Sequence, residues 1–317
     1  MNFSKFIQKR KYFFTEGAVL ERVRRENIDM DPFLLNAGLI YNEKGKNALE
    51  KIYKQYLAIG KFYDVPMIVL TPTWRANKER IEQSPFSCNN VNRDCFSFLN
   101  KIRASYGNYA KNIFIGGLIG CKGDAYKPAE GLSIEEAYEF HRYQIEALSE
   151  SGVDFLIAET IPTLSEAIGI SKLMAETGKY YVISFVIRPN GELLDGTSLN
   201  DAISKIDLTV KPEPLFYMVN CVHPSVLRCA LISKNVDAEI IGKRLLGIQA
   251  NASSLSPEEL DQSDKIHSDD KNKFVALMKN LHVEYGLKIF GGCCGTDASH
   301  IQGVIEAFLK KEPEFFR

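Results

Sequence analysis

The chain has 317 residues, 45% of them hydrophobic, and a formal net charge of −1. That length suits one barrel-type domain or two smaller ones, and the balanced charge offers no footprint for a nucleic-acid or membrane partner. No apolar run approaches the roughly 18 residues of a membrane span, and residues 1–6 lack the apolar core of a signal peptide, so a cytoplasmic chain is expected. The seven cysteines, an odd number without framework spacing, read as free thiols open to metal or catalytic use.

Eight short apolar, strand-like runs follow one another at 12–15, 66–70, 113–118, 154–158, 180–187, 215–219, 244–248 and 287–290. Helical patterns lie between them. Over 46–59, Leu49, Ile52, Tyr53, Tyr56 and Ile59 recur at helical spacing. Over 133–149, Ile134, Ala137, Tyr138, Ile145 and Leu148 share a face, and Ser133 with Glu136 forms a capping-box start. Strand and helix alternating eight times over about 300 residues predict a single α/β domain across 1–317, a (β/α)8 TIM barrel. A doubly wound sheet is the rival, but no Gly-rich dinucleotide fingerprint follows the first strand. The polar stretch 250–270 is expected as a loop insertion on the catalytic face, where the C-terminal ends of the strands gather.

Gly291-Gly292-Cys293-Cys294-Gly295 comes directly after the eighth run. Vicinal cysteines make a poor disulfide, but they suit two thiolates offered to one soft metal ion, with glycines letting the backbone bend close. Cys221 ends the sixth run in the same manner. Strands six and eight of a barrel are one strand apart, so the three thiolates can converge. Three protein ligands and an open fourth position are the pattern of a catalytic Zn2+ site. Cys121, after the third run, is a competing ligand, and His223 a weaker one that reads better as a loop or helix-cap residue. Cys88, Cys95 and Cys229 read as small buried hydrophobes, and His141 and His300 as helix residues.

Val219-Asn220-Cys221 and Gly291-Gly292-Cys293-Cys294-Gly295 together resemble the zinc signature of the homocysteine S-methyltransferase family. The resemblance runs over about residues 12–310. Glu16-Gly17-Ala18 is similar to the family's Asp-Gly-Gly/Ala turn, and Thr71-Pro72-Thr73-Trp74-Arg75-Ala76 to its Thr-Asn-Thr-Tyr-Gln-Ala. Gly152-Val153-Asp154 through Glu159-Thr160-Ile161-Pro162, Ser184-Phe185 and Asp195-Gly196-Thr197-Ser198 also have counterparts there. The resemblance implies a zinc-dependent methyl transfer from a small cationic donor to the thiolate of L-homocysteine, giving methionine. By the same resemblance Glu159 holds the amino group, Glu16 and Gly17 line the amino-acid pocket, and Thr73 lies at a matching strand end. Trp74, the only tryptophan, is a candidate to stack on a cationic donor.

Three departures surround those pockets. Glu16 replaces an Asp, which moves the carboxylate by about 1 Å or more. Pro72 replaces an Asn, removing an amide side chain and a backbone donor. Gly120-Cys121-Lys122-Gly123 stands where the family carries a Gly-Pro-Tyr-Gly-like segment. Two other readings therefore stand beside the first: a related zinc-thiolate alkyltransferase with a different thiol acceptor, and a non-catalytic zinc or redox protein using the vicinal pair. Nothing resembles a cobalamin or folate domain, so a free small-molecule donor is expected; a homo-oligomer is compatible with the sequence.

Overall fold

The computed structural model describes residues 3–26, 28–233, 237–255 and 269–309. Eight parallel strands close into a barrel in chain order. They are β1 (Phe13–Thr15), β2 (Met67–Leu70), β3 (Ile113–Gly120), β4 (Phe155–Ile161), β5 (Tyr181–Phe185), β6 (Phe216–Val222), β7 (Leu245–Ala250) and β8 (Ile289–Gly292), with β8 pairing back onto β1. The fold is the expected (β/α)8 barrel. The run 180–187 is strand only to Phe185, because Ile187 leaves the barrel to bridge Leu193 in an antiparallel pair. In contrast, β4 and β6 run beyond their expected ends, through register shifts near Thr160 and Cys221.

Helices form where the apolar spacing dictates. In Glu43–Phe62, Leu49, Ile52, Tyr53 and Tyr56 are buried against the sheet. Ile134–Ser151 starts at Ser133 with both capping-box hydrogen bonds made and stops at Gly152, whose φ of 106° is left-handed. Inside the barrel, Phe13, Ile68, Phe114, Phe155, Ile157, Phe216, Met218 and Ile289 form one apolar cluster. A larger shell fills the space between strands and helices.

A short helix before β1, Phe3–Lys9, closes the N-terminal end of the barrel. Its Phe3 ring stacks on Phe155 at 4.3 Å between centroids, and Ile7 is buried in the same cluster. Burying one such ring contributes about 2 kcal/mol. With that end plugged by side chains, the strands' C-terminal ends form the open mouth.

Cys95 is buried as expected, but Cys88 and Cys229 are exposed, which corrects their reading as buried hydrophobes. Cys229 lies beside Arg228 on the outer face of helix Pro224–Leu231, whose Leu227, Ala230 and Leu231 face inward. Most of the polar stretch 250–270, namely 256–268, lies outside the described residues. No described helix is long and apolar enough to cross a membrane.

Candidate active site

Sulfur atoms from two strand ends meet at the mouth. The Sγ atoms of Cys221, Cys293 and Cys294 all lie within 4.8 Å of one another, with Cys221 at 3.3 Å from Cys293 and 3.8 Å from Cys294. The close approach depends on the β8 glycines. A Cβ on Gly291 would fall 1.7 Å from Thr15 Oγ1, and one on Gly292 would fall 2.1 Å from Thr296 Oγ1. The turn that follows is tied on every side. Cys293 N–H donates to Ala250 O at 2.7 Å, Thr296 Oγ1 donates to Cys293 O at 2.7 Å, and Gly295 N–H donates to the Glu21 carboxylate.

Asn251 bridges the two halves of the cluster: its Oδ1 accepts from Cys294 N–H at 3.1 Å and its Nδ2 donates to Cys221 O at 2.8 Å. Tyr126 Oη donates to Cys221 Sγ at 3.2 Å. Left without a cation, the three sulfurs cannot all be thiolates. Hydrogen bonds from Cys293 and Cys294 hold Cys221 well below the usual thiol range, and the same contacts with Cys221 push the other two up. A dication removes that conflict. Three sulfurs within 4.8 Å of one another are a donor set that fits zinc.

All three cysteines line a cavity of about 160 Å³ that also holds Glu16, Gly17, Trp74 and Glu159. Both carboxylates are buried, and burial pushes each up to about 8; for Glu159 the neighbouring charge of Glu16 adds to the rise, and a hydrogen bond with Gln249 opposes it. Glu16 Oε1 accepts from Leu70 N–H at 2.9 Å, which leaves Oε2 without a partner. Glu159 Oε1, Gln249 Oε1 and Asn36 Oδ1, all in the same cavity, are buried and unpartnered too. No Lys, Arg or His is among the described residues that line it. Several unpaired acceptors around a small space are the complement of an ammonium group.

The other candidates fall elsewhere. Thr73 is wholly buried, its hydroxyl taken by Thr71 Oγ1 and Leu118 O, both at 2.7 Å, and it does not line the cavity. Trp74 does line it, with the Arg75 guanidinium 4.1 Å from its ring centroid, so one ring face is already covered. Cys121 is outside the cluster: its thiol bonds Gly123 O at 3.4 Å and burial pushes it up to about 12. Arg75 donates to the carbonyls of Cys121, Lys122 and Gly123, which fixes the loop where the sequence departs from the family pattern. His223 caps helix Pro224–Leu231 through Ser225, and His141 is buried against Glu166 at 3.0 Å. Sequence reasoning missed Asn36, Tyr126, Gln249 and Asn251. Gln249 and Asn251, at the end of the strand between the two cysteine-bearing strands, carried a signal that could have been read.

The family model for homocysteine S-methyltransferase matches residues 14–308. The chain belongs to this family. Among relatives of known name, it is similar to the homocysteine S-methyltransferase YbgG of Bacillus subtilis (strain 168), 29% identical over 213 residues, covering 64% of this chain and 60% of that protein. It is 25% identical to the homocysteine S-methyltransferase of Escherichia coli (strain K12) over 186 residues, 56% of each chain. The selenocysteine Se-methyltransferase of Brassica oleracea var. italica is 23% identical over 219 residues, 68% of this chain and 59% of that one. The chain thus spans 60% or less of the length of these relatives. Among solved structures, the metallated form of the homocysteine methyltransferase MmuM from Escherichia coli superposes with a TM-score of 0.75 at 18% identity, covering 96% of this chain and 98% of that one. At that identity the likeness speaks for the barrel fold.

Proposed function

We propose that this member of the homocysteine S-methyltransferase family is a zinc-dependent enzyme that moves a methyl group from a small cationic donor to the thiolate of L-homocysteine, forming methionine. One observation carries the reading: a single small cavity is lined both by three cysteine sulfurs and by two buried carboxylates with unpartnered oxygens. An aminothiol presents the complement of both, with a sulfur at one end and an ammonium at the other. At about 160 Å³ the cavity is well below the roughly 300–1,000 Å³ of a drug-sized site, which favours an amino acid.

Cys221, Cys293 and Cys294 would hold the zinc, which supplies the Lewis acidity that keeps a fourth, substrate sulfur deprotonated at neutral pH. Glu16 and Glu159 bind the ammonium, and Gln249 orients Glu159. Gly17 lines the same wall. Trp74, which lines the same cavity, is the position for a donor cation. Transfer breaks the bond between the methyl carbon and the positive sulfur or nitrogen of the donor and forms the methyl–sulfur bond of methionine. The donor leaves as a neutral thioether or amine, so no protein nucleophile is needed. All seven cysteines are free, in accord with a reducing cytoplasmic setting.

The test is methionine formation from homocysteine with S-methylmethionine, S-adenosylmethionine and betaine as donors, beside other thiols as acceptors. The reading expects turnover with homocysteine and at least one cationic donor. Turnover confined to another thiol would transfer the zinc-thiolate chemistry to a different acceptor, and the homocysteine assignment would fall.

A further inference from the structure

Two strands break register at the mouth. The β4–β5 pairing shifts between Ala158 and Ile161, and the β6–β7 pairing between Asn220 and Val222. Each break holds a residue with left-handed backbone: Thr160 has φ 61° and Cys221 φ 59°. Neither is glycine, and a β-branched residue there is a clear outlier. Strained bulges of this kind re-aim side chains beside active sites.

Alternation along the strands explains what is re-aimed. Phe155 and Ile157 in β4, like Phe216 and Met218 in β6, face the barrel interior. The same period of two carries Glu159 and Asn220 inward and would turn Cys221 outward, towards the helices. The left-handed turn instead brings Cys221 Sγ to Cys293 and Cys294.

One side chain braces both bulges. Asn220, 1% exposed, accepts at Oδ1 from Thr160 N–H at 2.8 Å and from Ser184 Oγ at 2.7 Å, and its Nδ2 donates to Thr160 Oγ1 at 2.7 Å. The amide cross-links β4, β5 and β6 in the wall of the cavity itself. It is covalently next to Cys221 and hydrogen-bonded to the residue after Glu159.

We infer that Asn220 is the positioning residue that fixes both bulges, setting Cys221 as a ligand and Glu159 as the ammonium acceptor. The inference rests on the zinc and homocysteine reading for what those two groups bind. Its consequence is that one amide governs the two halves of the site together.

The test measures zinc affinity by competition with a chromophoric chelator, methionine binding by calorimetry, and the thermal midpoint. The variants are N220A, the double variant N220A/T160G, and T160V. N220A should lose about tenfold or more in zinc affinity and also weaken methionine binding. Adding Thr160→Gly, which accepts the left-handed backbone without strain, should recover methionine binding but leave zinc affinity low. T160V keeps the backbone donor and loses only the hydroxyl that receives Asn220 Nδ2; it should weaken zinc about threefold, and it is the decisive variant if N220A does not fold. Wild-type zinc and methionine affinity in N220A, or in T160V where N220A is unfolded, would overturn the inference. If the wild-type protein binds no zinc, the proposed function fails, and the methionine arm alone then decides the role of Asn220.

Discussion

Glu16 and Glu159 are unusual because burial, with no cationic side chain among the described residues that line their cavity, raises both to about 8. A carboxyl raised in the folded state binds more protons there than in the unfolded chain. Its contribution to stability is therefore complete below the ordinary carboxylate range and is lost as pH rises through about 8. Replacing Glu16 by Gln mimics the protonated form, so the thermal midpoint of E16Q minus that of wild type should grow steadily from pH 5 to pH 8.5. A flat difference would mean that the Glu16 charge is already compensated. The same groups link binding to protons: an arriving ammonium favours both carboxylates, so methionine binding at pH 7 should release protons. Calorimetric heats would then vary with the ionisation enthalpy of the buffer, and less so in E159Q. The cysteines were legible because their glycine setting and strand-end position need no knowledge of register. The polar groups that share their cavity were missed, because Gln249 and Asn36 come from elements distant in sequence.

At the level of elements, period-two and period-3.6 patterns gave all eight strands and the main helices, since each buries a face against its neighbours. What the patterns missed were features that break them. Helix Phe3–Lys9 is only 7 residues long, too short for periodicity to stand out, yet it plugs the barrel. Thr160 and Cys221 depart from alternation by design of the bulges, and Asn220 acts across strands whose relative register no single strand reveals. Thr73 shows the converse: a strand-end threonine matching the family pattern spends its hydroxyl inside the protein. The plug makes its own prediction. Phe3→Ala empties a ring-sized volume at the end opposite the mouth and should cost about 3 kcal/mol in denaturant unfolding. Zinc affinity should remain that of wild type, and a parallel loss of metal would mean that the two ends of the barrel are coupled.

Across the whole molecule, a closed parallel barrel explains why distant segments can make one site. Residues 16, 159, 221, 249 and 293–294 come from strand ends spread over the ring, and closure delivers them to one cavity. The apolar interior below, sealed by Phe3 and Ile7, gives the sulfurs and carboxylates a rigid base. A site held by three strand-borne thiolates should bind a single metal ion and be inert without it. The most direct test is a zinc titration of chelator-treated protein, following methionine formation with homocysteine and the best donor. Turnover should rise from nothing in proportion to added zinc and level off at about one equivalent, and C221A should stay inactive throughout. Full turnover by the metal-free protein, or by C221A, would contradict the account.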